Sequence, residues 1–180
     1  MAFTLELADL ADLAQGAALL GTGGGGDPYI GVLLVSAELE RGRTITILDP
    51  DEVDDDALVV ASAFMGAPTV VIEKIPSGEE PVLALRRLEQ HLGRTADAII
   101  PMECGGLNSM IPLLVAARTG LPMVDGDGMG RAFPELQMET FGVYGVSGSP
   151  IAICNERRHV ALIDTWADNH SMEWYARGVT

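Results

Sequence analysis

The chain reads as an α/β protein, a layered αβα domain on a largely parallel sheet. Three observations predict this. Short runs of strand character alternate with apolar segments of helical period, the pattern of a parallel-sheet layer fold. Glycine- and acid-rich loops follow several of the runs, at the places where parallel strands hand over to helices. And 180 residues, 48% of them hydrophobic, suit one domain with a substantial core.

The elements follow in order. Leu7, Leu10, Leu13, Ala14, Ala17 and Leu20 recur at helical spacing and predict a first helix. Asp27-Pro28 opens a second, with an N-cap residue and a proline at the first helical position. Strand character covers 44–48, 58–63, 98–101 and 122–125, and later 142–146, 151–154 and 160–164, the last two as a hairpin turning near Asn155-Glu156-Arg157. Further helices are expected over 77–92, 108–119 and 166–177. Ser77 and Glu80 have capping-box spacing ahead of Leu83, Leu85, Leu88 and Leu92. The acidic stretch 49–56 lacks the spacing of a calcium loop and is expected to be a solvated turn. The final helix runs to Thr180 without a clear cap, which reads as a chain cut inside or just after an element.

Composition narrows the function. Eleven basic against 26 acidic residues give a formal charge of −15, which argues against nucleic acid or an anionic membrane as the main partner. No apolar run approaches the roughly 18 residues of a membrane span. Residues 1–12 carry Glu6, Asp9 and Asp12 and no base, unlike a secretory signal, so a cytoplasmic location is expected. Two cysteines, Cys104 and Cys154, are too few for a disulfide framework. A mean hydropathy of +0.24 suggests an exposed apolar patch, hence a homo-oligomer or a partner subunit.

Four loops carry the chemistry. The run Gly21-Thr22-Gly23-Gly24-Gly25-Gly26 joins two helices, and consecutive glycines are disfavoured unless positive φ or close backbone approach is needed. No Lys-Ser or Lys-Thr follows, and a helix rather than a strand precedes, so it is neither a phosphate loop nor a dinucleotide fingerprint. The amides of Gly23, Gly24, Gly25 and Gly26, with Asp27 at the helix start, would offer donors to an anion or a polarised ring; a flexible hinge is the plainer alternative. The second loop is Phe64-Met65-Gly66-Ala67-Pro68-Thr69. The third, Met102-Glu103-Cys104-Gly105-Gly106-Leu107-Asn108-Ser109, places a carboxylate and a thiol at a strand end, with Asn108 or Ser109 as the cap of the next helix. In the fourth, Asp125 and Asp127 stand two residues apart, which on extended backbone points both the same way, toward a general base or a hard-cation site; paired Asx-turns are the alternative. Arg131 suits a substrate carboxylate or an ion pair with Glu135 or the aspartates. Asp125, Asp127 and Cys104 would make a zinc set with a position open for water, though no histidine is placed to join them. His91, His159 and His170 are expected at the surface, and no serine has a nucleophile-elbow setting.

Taken together, residues 21–29, 65–70 with Glu73-Lys74, 103–109 and 124–135 resemble the S-methyl thiohydantoin desulfurase family, long uncharacterised and associated with hydantoinase and oxoprolinase genes. The resemblance runs from about Leu13 onward and covers the family's N-terminal α/β domain; the β-rich second domain of members is expected to be missing. It implies hydrolytic removal of sulfur from C2 of a five-membered thiohydantoin ring, giving a hydantoin and a thiol. For that chemistry Glu103, Asp125 and Asp127 suit bases or metal ligands, Cys104 a soft ligand to zinc, and the glycine-loop amides a donor set for developing charge. Gly23 to Gly26, Asp27, Asn108 and Arg131 would bind the small cyclic amide or thioamide. The alternative is a non-catalytic ligand-binding or interaction subunit of a hydantoin-processing assembly.

Overall fold

In the computed structural model, which describes Met1–Thr180, a two-residue strand β1 (Phe3–Thr4) leads into helices α1 (Asp9–Leu20) and α2 (Pro28–Glu40). The sheet strands and their crossovers follow: β2 (Thr46–Leu48), β3 (Val59–Ser62), α3 (Pro68–Glu73), α4 (Glu80–Leu92), β4 (Ala98–Pro101), α5 (Ile111–Thr119) and β5 (Met123–Val124). A hairpin, β6 (Ile151–Cys154) and β7 (Val160–Ile163), and α6 (Asn169–Val179) complete the chain. The five-stranded sheet has the order β1-β2-β5-β4-β3, parallel throughout except for β1. The α/β class and the largely parallel sheet are therefore as expected.

Helix α5 organises the core. Every residue from Ile111 to Ala117 is buried, so the helix has no solvent face and must be surrounded. Sheet register supplies one side: Ile47 pairs with Met123, Met123 with Ile99 and Ile99 with Val60, so these four share a face. Ile47 and Met123 pack with Leu113, Leu114 and Val35 in the main cluster, while Ile99 and Val60 meet Val115 and Leu85. Helix α2 lies on the far side of α5. Their approach needs Gly31, because a Cβ there would fall 2.3 Å from Met110 Cβ. Buried Glu38 of α2 accepts from Arg118 Nε of α5 at 2.9 Å and from Arg41 at 3.0 Å, tying the two helices by charge. The opposite sheet face, with Ile100, Val124 and Ala61, turns toward an open crevice.

Several elements differ from expectation, each for a local reason. Residues 142–146 form no strand; Thr140–Tyr144 is a 3₁₀ turn closed by Gly145 at φ 83°, and no neighbouring strand is present to pair with it. Helix α3 was legible only from Pro68 at its first turn, since the segment read as a loop. Helix α4 starts at Glu80, with the Ser77–Glu80 pairing present one turn early: Ser77 N and Oγ donate to Glu80 Oε1 at 3.1 and 3.0 Å. Neither Asn108 nor Ser109 caps α5. Both lie in the 3₁₀ turn Gly106–Ser109, and Met110 occupies the cap position. Helix α6 begins at Asn169 rather than Trp166, because Asp168 accepts from the amides of His170 and Ser171. The stretch from Asp49 is the expected acidic turn, capped by Asp49 with Glu52 reaching back.

Two helical glycines then have opposite fates on substitution. Helix propensity favours Ala over Gly by about 1 kcal/mol, and Gly16 of α1 has nothing within 4 Å of a new Cβ, so Gly16→Ala stabilises by about that amount. At Gly31 the overlap with Met110 prevails, and Gly31→Ala destabilises by about 1–3 kcal/mol. Urea denaturation midpoints moving in opposite directions would bear this out; two upward shifts would contradict the packing.

Candidate functional site

Three of the loops meet through their glycines at the end of the sheet. Leu107 N donates to Gly25 O at 2.9 Å, drawing the loop after β4 against the glycine loop. Gly106 adopts φ +60°, and a Cβ there would stand 2.3 Å from Gly25 O and 2.6 Å from Gly26 O. A Cβ on Gly105 would fall 2.3 Å from Ala132 N and 2.7 Å from Leu20 O. Ala132 N itself donates to Leu20 O at 3.0 Å, which pins the loop after β5 to the same spot. Gly25 closes the contact, its virtual Cβ 2.9 Å from Ala132 Cβ. The glycine loop is thus a backbone junction rather than a hinge, and Gly25 and Gly26, at φ 74° and 77°, take conformations that only glycine adopts cheaply. Gly25 O serves the loop after β4 and Gly21 O accepts from Gly24 N within the loop, while the amides of Gly23, Gly25 and Gly26 make no hydrogen bond within the chain. Asp27 caps α2 by accepting from Tyr29 N at 2.9 Å.

Asn108 brackets the next pair of loops. Its Oδ1 accepts from Phe64 N at 2.7 Å, and its Nδ2 donates to Phe64 O at 3.1 Å and to Glu103 Oε1 at 2.9 Å. One amide therefore ties the ends of β3 and β4 together and orients Glu103, which is 5% exposed. Glu103 Oε2 accepts from Gly105 N at 2.5 Å. Burial raises the Glu103 carboxyl above its ordinary range; the Gly105 and Asn108 bonds oppose this, and the Asp127 charge adds to it. Ser109 Oγ donates to Cys104 O, locking the turn from within.

The two aspartates of the fourth loop lie in different settings. Asp125 N donates to Leu48 O and Gly126 N to Val124 O, so the backbone bends at once instead of running extended. Asp125 is exposed, whereas Asp127 is half-buried and forms an Asx-turn, its Oδ2 accepting from Met129 N at 3.1 Å and Gly130 N at 2.5 Å. Asp127 faces Glu103 and Cys104. Burial pushes the Cys104 thiol up to about 11, and the charges of Asp127 and Glu103 and a hydrogen bond to Asp127 act in the same direction. No three His, Cys, Asp or Glu side chains come together to hold a metal ion, so Cys104, Asp125 and Asp127 are not assembled as a ligand set here. Arg131 makes no ion pair with Glu135 or the aspartates; it stacks over Phe133, 4.7 Å from the ring centroid, and keeps its guanidinium edge free.

Structure thus brings together Gly25, Gly26, Glu103, Cys104, Asn108 and Asp127, and leaves Asp125 and the three histidines at the surface. Two contributors were missed. Phe64 acts through its backbone, which leaves no residue-type signal. Glu139 carries no motif or spacing that marks it in the sequence; it is 5% exposed and lines the same crevice. That crevice, about 1590 Å³, exceeds the roughly 300–1,000 Å³ of a small-molecule pocket, so the glycine junction lines only part of a larger cleft.

Comparison with known proteins agrees with this layout. The family model described as "S-Me-THD-like, N-terminal domain" matches residues 8–165. No curated protein matches the sequence. A crystal structure of a protein from Chromobacterium violaceum is similar at a TM-score of 0.85 and 30% identity, the match covering 98% of this chain and 50% of that one. The chain therefore spans about half the length of that solved relative.

With its thiol held near 11, Cys104 stays protonated at neutral pH. In a Cys154→Ser background its reaction with a chromogenic disulfide reagent at pH 8 is expected to run about two orders of magnitude slower than that of a free cysteine. Asp127→Asn keeps an acceptor for the Asx-turn and removes the charge, so it accelerates the reaction; an unperturbed rate in the parent protein would contradict the assigned environment.

Proposed function

The chain belongs to the S-Me-THD-like N-terminal domain family, and from that membership and the geometry of its loops we propose that it binds a hydantoin-type ring at the glycine junction and takes part in hydrolytic desulfurisation of the S-methylated thiohydantoin. The observation that carries this reading is Glu103: a carboxyl buried at a strand end and aimed by Asn108, in a loop that touches the glycine loop with its unpartnered amides.

Each part suits a step. C2 of an S-methyl thiohydantoin is amidine-like and is attacked by water. Glu103, with its proton affinity moved toward neutrality, takes the proton of that water, since a base works best with a pKa near the working pH. Free amides of Gly23, Gly25 and Gly26 stabilise charge that develops on the ring as the tetrahedral centre forms. Glu103 passes its proton to the ring nitrogen, the C2–S bond then breaks, and the thiol leaves with the proton of the new hydroxyl while C2 keeps the oxygen as a carbonyl. Arg131, free at its edge, suits a carboxylate appended to the ring.

A second reading is favoured by a different observation. The cleft is bordered by exposed apolar residues such as Val146 and Val70. A ring-binding subunit, completed by a partner or a second copy on that border, fits this surface.

One experiment separates the readings. Thiol release from an S-methylated thiohydantoin is followed with a chromogenic reagent, and ring affinity by calorimetry. Glu103→Gln is expected to lower turnover by about 10²–10⁴-fold with ring affinity changed only a few-fold. Binding without turnover by the parent protein selects the subunit reading. No binding of hydantoin, thiohydantoin or 5-oxoproline contradicts both.

A further inference from the structure

Glu139 is buried without a protein partner. It is 5% exposed, and its carboxyl receives no hydrogen bond from any donor of the chain, although it faces the cleft. The chain is shaped to leave it that way. A Cβ on Gly148 would fall 3.1 Å from Glu139 Oε1 and 3.1 Å from Met172 Sδ, and one on Gly128 would fall 3.3 Å from Glu139 Cβ and 3.1 Å from the Phe141 ring. Neither glycine has the positive φ that would demand glycine on conformational grounds; Gly148 leaves room for the Glu139 carboxyl and Met172, and Gly128 for its own close approach to Met102 O, 3.0 Å from a Cβ placed there, as well as for Glu139. Met172 behind it is 1% exposed. The backbone fixes the position too: Thr140 N and Oγ1 both donate to Gly128 O, at 2.7 and 3.0 Å, and Gly128 N donates to Met102 O at 3.1 Å. Glu139 and Glu103 thereby flank one loop.

A carboxyl in such a place lowers stability, since burial without a partner carries an uncompensated desolvation cost. Of the other buried acids, Glu38 pairs with Arg118, Glu89 with Arg86 and Glu173 with Arg177, while Glu103 accepts from Gly105 and Asn108 and Glu80 accepts from Ser77 through one oxygen, its Oε2 having no partner. Glu139 alone among these acids receives no hydrogen bond at either oxygen, and its carboxyl opens on the cleft, which points to a ligand.

We propose that Glu139 is a specificity-determining residue of the ring site, its carboxyl forming paired hydrogen bonds with an N–H and the adjacent C=O on the amide edge of the bound ring. This rests on the ring-binding reading above. Pairing of this kind needs one donor and one acceptor on the same group. A protonated carboxyl carries both, and burial shifts Glu139 in that direction by raising it above its ordinary range; no charged neighbour contributes to that shift.

The test uses hydantoin and N3-methylhydantoin as probes, measured by calorimetry on the 180-residue chain, with thermal denaturation alongside. Glu139→Met keeps the volume and removes the polar edge; it is expected to raise Tm by about 2–4 °C and weaken hydantoin binding at least about tenfold. Glu139→Gln, which retains a donor and an acceptor, should bind hydantoin within a few-fold of the parent. N3-methylation should weaken binding to the parent and leave Glu139→Met indifferent. Parental hydantoin affinity in Glu139→Met, or a Tm lowered by several degrees, would overturn the assignment alone. Failure of the parent to bind either probe would overturn the ring-binding reading and this inference with it.

Discussion

The contact between the glycine loop and Gly105-Gly106 is the constraint on which the rest of the site depends. Three chain segments, from the α1–α2 connection and the carboxyl ends of β4 and β5, converge so closely that backbone touches backbone. Side chains cannot occupy such a junction, and the left-handed conformations at Gly25, Gly26 and Gly106 would each cost another residue about 1–2 kcal/mol. Glycine's entropic penalty on folding is offset by the packing it permits. The junction leaves the amides of Gly23, Gly25 and Gly26 free and sets them beside the loops that carry Glu103 and Asp127.

Electrostatics in the site tends one way. Glu103, Cys104 and Glu139 are all shifted toward their protonated forms, and burial is the leading cause for each. For a carboxyl whose folded pKa is raised, stability is fully present below the unfolded pKa and is lost as pH rises through the folded value. Glu103 and Glu139 therefore lower the protein's stability toward neutral pH instead of supporting it. Asn108 offsets part of that for Glu103. Glu139 has no such compensation, so the two carboxyls, flanking one loop, have unlike surroundings, the condition under which one acid serves as a base and another as a donor.

Much of the fold was legible from local pattern. Alternation of short apolar runs with helical segments gave the parallel sheet, and Asp27-Pro28 marked the start of α2 because capping chemistry is local. Residues 142–146 failed since Val143 and Tyr144 have strand propensity, while strand formation requires a partner that the topology does not provide. In the site, the glycine tetrad, Glu103 and Asn108 were visible as residue types. Their roles were not. Asn108 reads as a cap in sequence and becomes a bracket only when Phe64 arrives from β3, and the Asp125–Asp127 pair is divided by a bend at Asp125 itself, closed by Gly126 N on Val124 O. Glu139 was hidden because burial of a lone carboxyl is a property of its neighbours.

The junction is tested most directly by comparing two glycines of left-handed φ, Gly106 at +60° and Gly23 at +85°. Both lose the conformational freedom of glycine on substitution by Ala, but only Gly106 would press a Cβ into the Gly25 carbonyl, at 2.3 Å, while Gly23 has nothing within 4 Å. Urea denaturation should give a loss of about 1–2 kcal/mol for Gly23→Ala, from backbone strain alone, and a loss larger by about 2 kcal/mol or more for Gly106→Ala. Equal losses at the two positions would mean that the loops do not meet backbone to backbone, and would contradict the site built on their contact.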